Sequence, residues 1–275
     1  MTINDFLRES GFKFNKKFGQ NFITDTNLLD AIVADAGVTE NDTVIEIGTG
    51  AGTLTRAIAQ KAKKVISFEI DQNLRPVLDF SLKGLNNVEV VFADVLSCGI
   101  KKVESLAEGS YKVVANLPYY ITTPILMEFL ENSENLTSMT VMIQKEVALR
   151  LAASPATKDY GRITLAVEFF GNASLTRTVS RKMFVPQPNV DSAIVCIDKN
   201  PRFDTDRKLF SKVVKAAFSM RRKVLTTCLA SGLNVSKEKA AEFISALGKP
   251  LTVRGEELSV HDFVRLTELY KNDAF

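Results

Sequence analysis

The residues best placed to do chemistry are glycines, carboxylates and an amide, each at the end of an apolar run. In "VIEIGTGAGTLT", Gly48, Gly50 and Gly52 stand between a hydrophobic stretch and an amphipathic one. Glycine there permits a tight turn and a close approach of backbone to a ligand. The spacing is G-x-G-x-G, with Thr53 where a dinucleotide-binding fold has its third glycine. This variant suits a cofactor without a pyrophosphate, such as S-adenosyl-L-methionine; a turn required by packing alone is the other reading. Glu69 closes "SFEID", where a carboxylate can accept both hydroxyls of a ribose. Asp94 closes "VFADV", where it can accept the exocyclic amine of an adenine. Carboxylates at successive strand ends converge on one crevice and favour a nucleoside cofactor. Asp71, on the next turn, reads as a helix cap.

The stretch "VVANLPYYITTPIL" ends a buried run on Asn116. An exocyclic adenine nitrogen shares its lone pair with the ring and is a poor nucleophile. Acceptors placed out of the ring plane favour a more pyramidal nitrogen, and the Asn116 side-chain carbonyl and the Leu117 backbone carbonyl suit that task. Pro118 has a fixed φ and no N–H, which restricts the chain at the turn. Tyr119 can stack on the base. Such a site needs no dedicated general base and works by orientation and proximity. No Ser/His/Asp or Cys/His arrangement competes with it, and His261, the only histidine, reads as structural.

The elements that must hold these residues alternate. A helix starting at Thr24 or Asp25 and ending at Gly37 precedes the strand "TVIEIG" and the helix "TLTRAIAQKA". "KVISFEI", "VEVVFAD", "KVVANL" and "SMTVMIQ" are further strands with helices between them. Their nearly continuous apolar runs fit strands covered on both faces, so the rhythm predicts an α/β fold, an open, Rossmann-like, mostly parallel sheet. "RITLAVEFFG", "ASLTRTVSRKMF" and "SAIVCID" follow one another closely and are read as antiparallel additions at the end of the sheet. Past Pro201 the periodicity is helical to the end, with "DKNPRFDTD" as linker. Two domains are expected: 1–200 for the cofactor and 201–275 as a small helical, RNA-binding domain.

Composition narrows the class. Of 275 residues, 45% are hydrophobic and 24% charged, as in ordinary globular proteins. No apolar run approaches the roughly 18 residues that cross a bilayer, and the start "MTINDFLRESGFKF" has no apolar signal core. Three widely spaced cysteines, Cys98, Cys196 and Cys228, argue against a disulfide framework or a zinc site. A cytoplasmic monomer without a membrane partner is expected. The first 180 residues carry 18 Lys and Arg against 21 Asp and Glu, whereas 181–275 carry 17 against 11. This basic end points to a polyanion. Arg221, Arg222 and Lys223 would face phosphates, the alternative being a solvated charge run. Lys13, Lys16 and Lys17, interleaved with Phe12, Phe14 and Phe18, could form a lip over the cofactor.

The glycine loop, "FEID" and "NLPYYITTPI" together resemble the ribosomal RNA adenine dimethyltransferases of the KsgA type. "KKFGQNFITDTNLLDAIV" resembles that family's lead segment, "MFVPQPNVDSAIV" its late loop and strand, and "AFSMRRKVL" its Arg-rich helix start, so the likeness runs from residue 16 to about 265. It implies cofactor contacts from Asn21, Ile23, Gly48, Glu69, Asp94 and Asn116, and target-base contacts from Asn116, Leu117, Tyr119 and Phe184. Phe184 would sandwich the base opposite Tyr119, unless it is a core ring. The implied activity is S-adenosyl-L-methionine-dependent dimethylation of the N6 amines of two adjacent adenosines. These lie in the 3′-terminal hairpin loop of 16S rRNA, in the small ribosomal subunit or its precursor, modified late in assembly. A 23S rRNA methyltransferase of the macrolide-resistance type, a non-catalytic assembly factor and a nicotinamide dehydrogenase remain alternatives. The chain departs from the family at Thr49, where many relatives have Pro and a stiffer loop, and at Tyr120, where others often carry Asn.

Overall fold

The computed structural model describes residues 19–220 and 222–274, which divide into two compact units. The first takes residues up to 129, 133–148 and 174–199; the second takes 130–132, 149–173 and everything from 200. In chain order the strands are β1 (Phe22–Ile23), β2 (Thr43–Ile47), β3 (Lys64–Glu69), β4 (Val88–Phe92), β5 (Tyr111–Asn116), β6 (Leu136–Gln144), β7 (Gly171–Val179), β8 (Phe184–Val185) and β9 (Ser192–Lys199). The helices of the first 151 residues are α1 (Thr26–Asp35), α2 (Thr53–Ala59), α3 (Arg75–Ser81), α4 (Val95–Cys98), α5 (Ile100–Ala107), α6 (Thr122–Asn132) and α7 (Lys145–Leu151).

The sheet order is β4-β3-β2-β5-β6-β9-β7. β2 to β6 pair in parallel and β9 runs antiparallel against β6, as expected for a mostly parallel sheet with an antiparallel end. From β2 the chain moves outward through β3 and β4, then returns to the other side of β2 with β5. That reversal opens a crevice beyond the carboxyl ends of β2 and β5, where ligands bind in such sheets. Val44, Val65 and Val114 from the strands pack with Ile32 and Val33 of α1 and Leu54 and Ile58 of α2. Each such side chain contributes about 1.5–3 kcal/mol by leaving water. α1 begins where Asp25 Oδ1 accepts the Leu28 N–H at 2.8 Å and stops at Gly37, which has φ +55°.

The second unit adds α8 (Arg162–Phe170), α9 (Arg207–Ala217), α10 (Leu225–Leu233), α11 (Lys237–Ala246) and α12 (Val260–Ala274). Its core joins Phe210 and Val213 of α9, Leu225 and Leu229 of α10, Phe243 of α11 and Phe263 of α12. α8 corrects the sequence reading: "RITLAVEFF" is a helix, and it belongs to this unit instead of the sheet. Ile163, Leu165, Val167 and Phe169 alternate with Arg162, Thr164, Ala166 and Glu168, a period-two pattern that imitates a strand. The helix wins because it buries Ile163, Leu165, Ala166, Val167 and Phe170 together. Thr164 closes its start, accepting from the Gly161 N–H at 3.2 Å and donating to the Arg150 carbonyl at 2.7 Å. Segments 130–132 and 149–173, read from sequence as part of the first domain, therefore pack with the helical one. Among the described residues no helix is long and apolar enough to cross a membrane.

Candidate active site

Four parallel strand ends meet at one pocket. It is lined by the glycine loop after β2, by Glu69 at the end of β3, by Asp94 beyond β4 and by Asn116 to Tyr120 beyond β5. Residues 19–23 form another wall. Asn21, Ile23, Gly48, Gly50, Glu69, Asp94, Asn116, Leu117, Pro118 and Tyr119, all picked out from sequence, are thus brought together.

The loop explains its glycines. Gly50 has φ +55°, and a Cβ there would stand 3.1 Å from the Phe22 ring, so a side chain would meet backbone strain and a tight contact that the ring must yield to. Its N–H donates to Glu69 Oε2 at 2.8 Å, while Glu69 Oε1 accepts from the Ile70 and Asp71 N–H groups at 2.9 and 2.8 Å. Burial pushes the Glu69 carboxyl up, and these three N–H donors pull against that shift. The carboxylate is thereby held in one orientation facing the pocket. Asp94 accepts from the Leu96 N–H and the Ser97 hydroxyl, both at 3.0 Å, capping α4 from the pocket wall. Asp71 caps a short 3₁₀ turn, as its position suggested, and also accepts from Gln20 Nε2 at 2.7 Å.

Asn116 is held by its nitrogen. Nδ2 donates to the Asn21 carbonyl at 3.0 Å, which turns the side-chain carbonyl away from that wall as an acceptor. The Leu117 N–H is used by the Met142 carbonyl at 3.1 Å. Tyr119 is half-buried and its hydroxyl lies 2.7 Å from Ser192 Oγ on β9. Burial pushes that phenol up, with the Ser192 hydrogen bond opposing and the Asp191 charge reinforcing the shift.

Phe184 is a correction. It is 2% exposed, lies in the core with Ile23, Leu29 and Val33, and is absent from the pocket lining. Its backbone pairs with Ile23 across β1 and β8, so the ring backs the Ile23 wall instead of facing a base opposite Tyr119. Arg222 and Lys223 are exposed in the turn before α10 of the second unit; Arg221 lies outside the described residues. So do Lys13, Lys16, Lys17, Phe12, Phe14 and Phe18, the residues of the expected lip. His261 meets Phe203 edge-on at 5.2 Å, in the second unit.

Several contributors escape sequence reasoning because their partners are distant along the chain. Thr53 Oγ1 donates to the Ile23 carbonyl at 2.7 Å and fixes the wall of residues 19–23 to α2. Thr49, noted only as a departure from Pro, is buried with its hydroxyl 2.6 Å from Ser67 Oγ; it ties the loop to β3. Ser67 and Thr55 in turn both donate to Glu46 Oε2 at 2.6 Å. Glu46 is fully buried and its Oε1 has no partner. Burial raises its carboxyl to about 8, with the two hydroxyl bonds opposing and the Glu69 charge adding to the rise.

This donor set fits an adenosine-type cofactor. A fixed carboxylate, a second carboxylate one strand further and exposed loop backbone offer acceptors and donors for a ribose, an adenine amine and a polar tail. The family model described as ribosomal RNA adenine dimethylase matches residues 11–272. The chain is 43% identical over 274 residues to the ribosomal RNA small subunit methyltransferase A of Clostridium acetobutylicum, spanning 98% of this chain and 99% of that one. It is 45% identical over 280 residues to the protein of the same name from Bacillus licheniformis, spanning 98% and 95%. Among solved structures it is similar to a dimethyladenosine transferase from Plasmodium falciparum, with TM-score 0.74, 26% identity and coverage of 92% and 98%. It is also similar to the 23S rRNA methyltransferase ErmE, with TM-score 0.66, 26% identity and coverage of 91% and 100%. With its glycine loop, paired strand-end carboxylates and Asn-Leu-Pro-Tyr turn in one pocket, the chain belongs to the ribosomal RNA adenine dimethylase family.

Proposed function

We propose that this chain is a 16S rRNA (adenine-N6,N6)-dimethyltransferase that uses S-adenosyl-L-methionine. Its substrate is two adjacent adenosines in the 3′-terminal hairpin loop of the small ribosomal subunit or its precursor, modified late in assembly. It acts as a monomer in the cytoplasm, where its substrate is built. One observation carries this reading. Asn116 spends its Nδ2 on the Asn21 carbonyl, which leaves an oxygen acceptor in a pocket that already holds Glu69 and Asp94. The names borne by relatives above 40% identity favour the small subunit over the large one.

Glu69 would hold the ribose of the cofactor, Asp94 its adenine amine, and Asn21, Ile23, Gly48 and Gly50 the remainder. When bound, the cofactor supplies an electrophilic methyl group on a sulfonium. Asn116 Oδ1 and the Leu117 carbonyl accept hydrogen bonds from the target amine and bias its lone pair out of the ring plane. Tyr119 stacks on the base, after the base has left its helical stack or been met in a loop. The amine proton leaves to solvent once nitrogen gains its fourth bond, so orientation supplies most of the acceleration. Arg222 and Lys223, with Arg221, contact phosphates, a binding term that weakens as salt rises.

The test is transfer of radiolabelled methyl onto small subunits lacking the modification, followed by nucleoside analysis. The expected product is N6,N6-dimethyladenosine, with Asn116→Ala abolishing transfer while small-subunit binding persists. Label in 23S rRNA instead would select the large-subunit alternative. Binding of subunits without any label would select the non-catalytic one.

A further inference from the structure

The two tyrosines that follow Pro118 face different neighbours. Tyr119 reaches β9 through Ser192. Tyr120 turns to the wall of residues 19–23 instead. Its Cδ1 and Cε1 lie 3.5 and 3.7 Å from where a Cβ of Gly19 would stand, so the ring lies against bare backbone. Tyr120 is 53% exposed, yet it lines the pocket. Among the described residues the other exposed large apolar side chains, such as Leu149 and Leu175, lie outside it, Ile70 excepted. An exposed ring inside a concave site is surface for a ligand to cover. The carboxylates it accompanies are those of the cofactor side: beyond burial, the charges of Asp94 and Glu69 push its phenol up, whereas Asp191 acts on Tyr119.

We propose that Tyr120 is a cofactor-positioning residue, its ring closing the pocket over the nucleoside that Glu69 and Asp94 hold, while Tyr119 alone serves the target base. This rests on the function proposed above. A rim ring that stays half in solvent suits a reaction of four transfers per RNA, because spent S-adenosylhomocysteine must leave and be replaced. The position also makes sense of the departure from Asn: the aromatic face supplies contact area that an amide lacks. The role is one of positioning; no reacting atom is touched.

The test is calorimetric titration of the full-length protein with S-adenosylhomocysteine, alongside KM values for the methyl donor and for unmodified small subunits. Tyr120→Ala should weaken S-adenosylhomocysteine about tenfold through lost ring contact. The same variant should raise the KM of the methyl donor similarly and leave the KM of the subunit within about twofold. Tyr120→Phe, which keeps the ring, should restore wild-type values. Because the side chain is exposed, thermal unfolding should not move in either variant. Unchanged affinity in Tyr120→Ala, or a rise in the subunit KM instead of the donor KM, overturns the proposal and leaves the function standing. Wild-type protein that takes up no S-adenosylhomocysteine overturns both.

Discussion

Glu46 and Glu69 are buried glutamates on neighbouring parallel strands, and they do opposite things. Glu69 is 5% exposed, lines the pocket and has three backbone N–H donors across its two oxygens. Glu46 is fully buried, lies outside the pocket lining and has two hydroxyl donors on one oxygen and none on the other. Fixed dipoles stabilise a carboxylate, whereas hydroxyls can turn to suit either protonation state. Glu69 is therefore built to present charge to a ligand. Glu46 is built to hold a proton beneath the loop, which spares the neighbouring carboxylate a second buried charge.

The largest consequence is in stability. The Glu46 carboxyl titrates near 8 in the folded chain, far above an ordinary glutamate. Between about pH 4.5 and 8 the native state keeps a proton that the unfolded chain has released. The contribution of Glu46 is thus complete at the acid end, declines by about 1.4 kcal/mol per pH unit through that window and levels off above it. Denaturant titrations from pH 5 to 9 should show this slope in the wild type, and Glu46→Gln, neutral throughout, should lose it. If both proteins follow the same curve, Glu46 is ionised after all and the two glutamates are alike.

Ligand binding should discriminate them in the other direction. Glu69→Gln should weaken S-adenosylhomocysteine about 100-fold by calorimetry, because hydrogen bonds to a charged acceptor lose that charge. Glu46→Gln should stay within about threefold of wild type. A smaller effect sharpens the point. Burial raises the Glu69 carboxyl above its usual range, and the ribose hydroxyls proposed for it would bind its ionised form more tightly. Acidification through that raised range should therefore lower affinity by up to about tenfold per pH unit, with a plateau on the alkaline side. The dependence should vanish in Glu69→Gln; its persistence there would assign it to another group.

What was legible in the sequence follows the same division. Gly50, Glu69, Asp94 and Asn116 announce themselves through local signals: a glycine after an apolar run, or a polar residue ending one. The Asp25 and Asp71 caps are equally local. Glu46 sits inside "VIEIG" and is passed over as part of an apolar strand, because Thr55 and Ser67, which make it interpretable, belong to other elements. For Phe184 the sequence leaves both a base contact, implied by the resemblance, and a core ring open, because nothing near it in the chain shows its pairing with Ile23. Segment 162–170 has a strand's alternation and a helix's burial, and only tertiary packing chooses between them. Side chains that line the pocket can be read from strand ends, while those that hold them in place depend on partners brought close by folding.

Ser192 is the smallest test of that rule. It is fully buried and absent from the pocket lining, and its Oγ meets the Tyr119 hydroxyl at 2.7 Å. By the criterion that separates Glu46 from Glu69, it holds Tyr119 from outside the pocket. Ser192→Ala should cost about 1 kcal/mol of stability and raise the KM for small subunits by roughly threefold, leaving the affinity for S-adenosylhomocysteine unchanged. Tyr119→Phe removes the same hydrogen bond from its other end and keeps the stacking ring. The double variant should therefore be no worse than the poorer single one, a coupling close to the whole single-site effect. Strict additivity would mean that the serine and the tyrosine act separately. Ser192 would then belong to the core alone, with no part in aiming the ring.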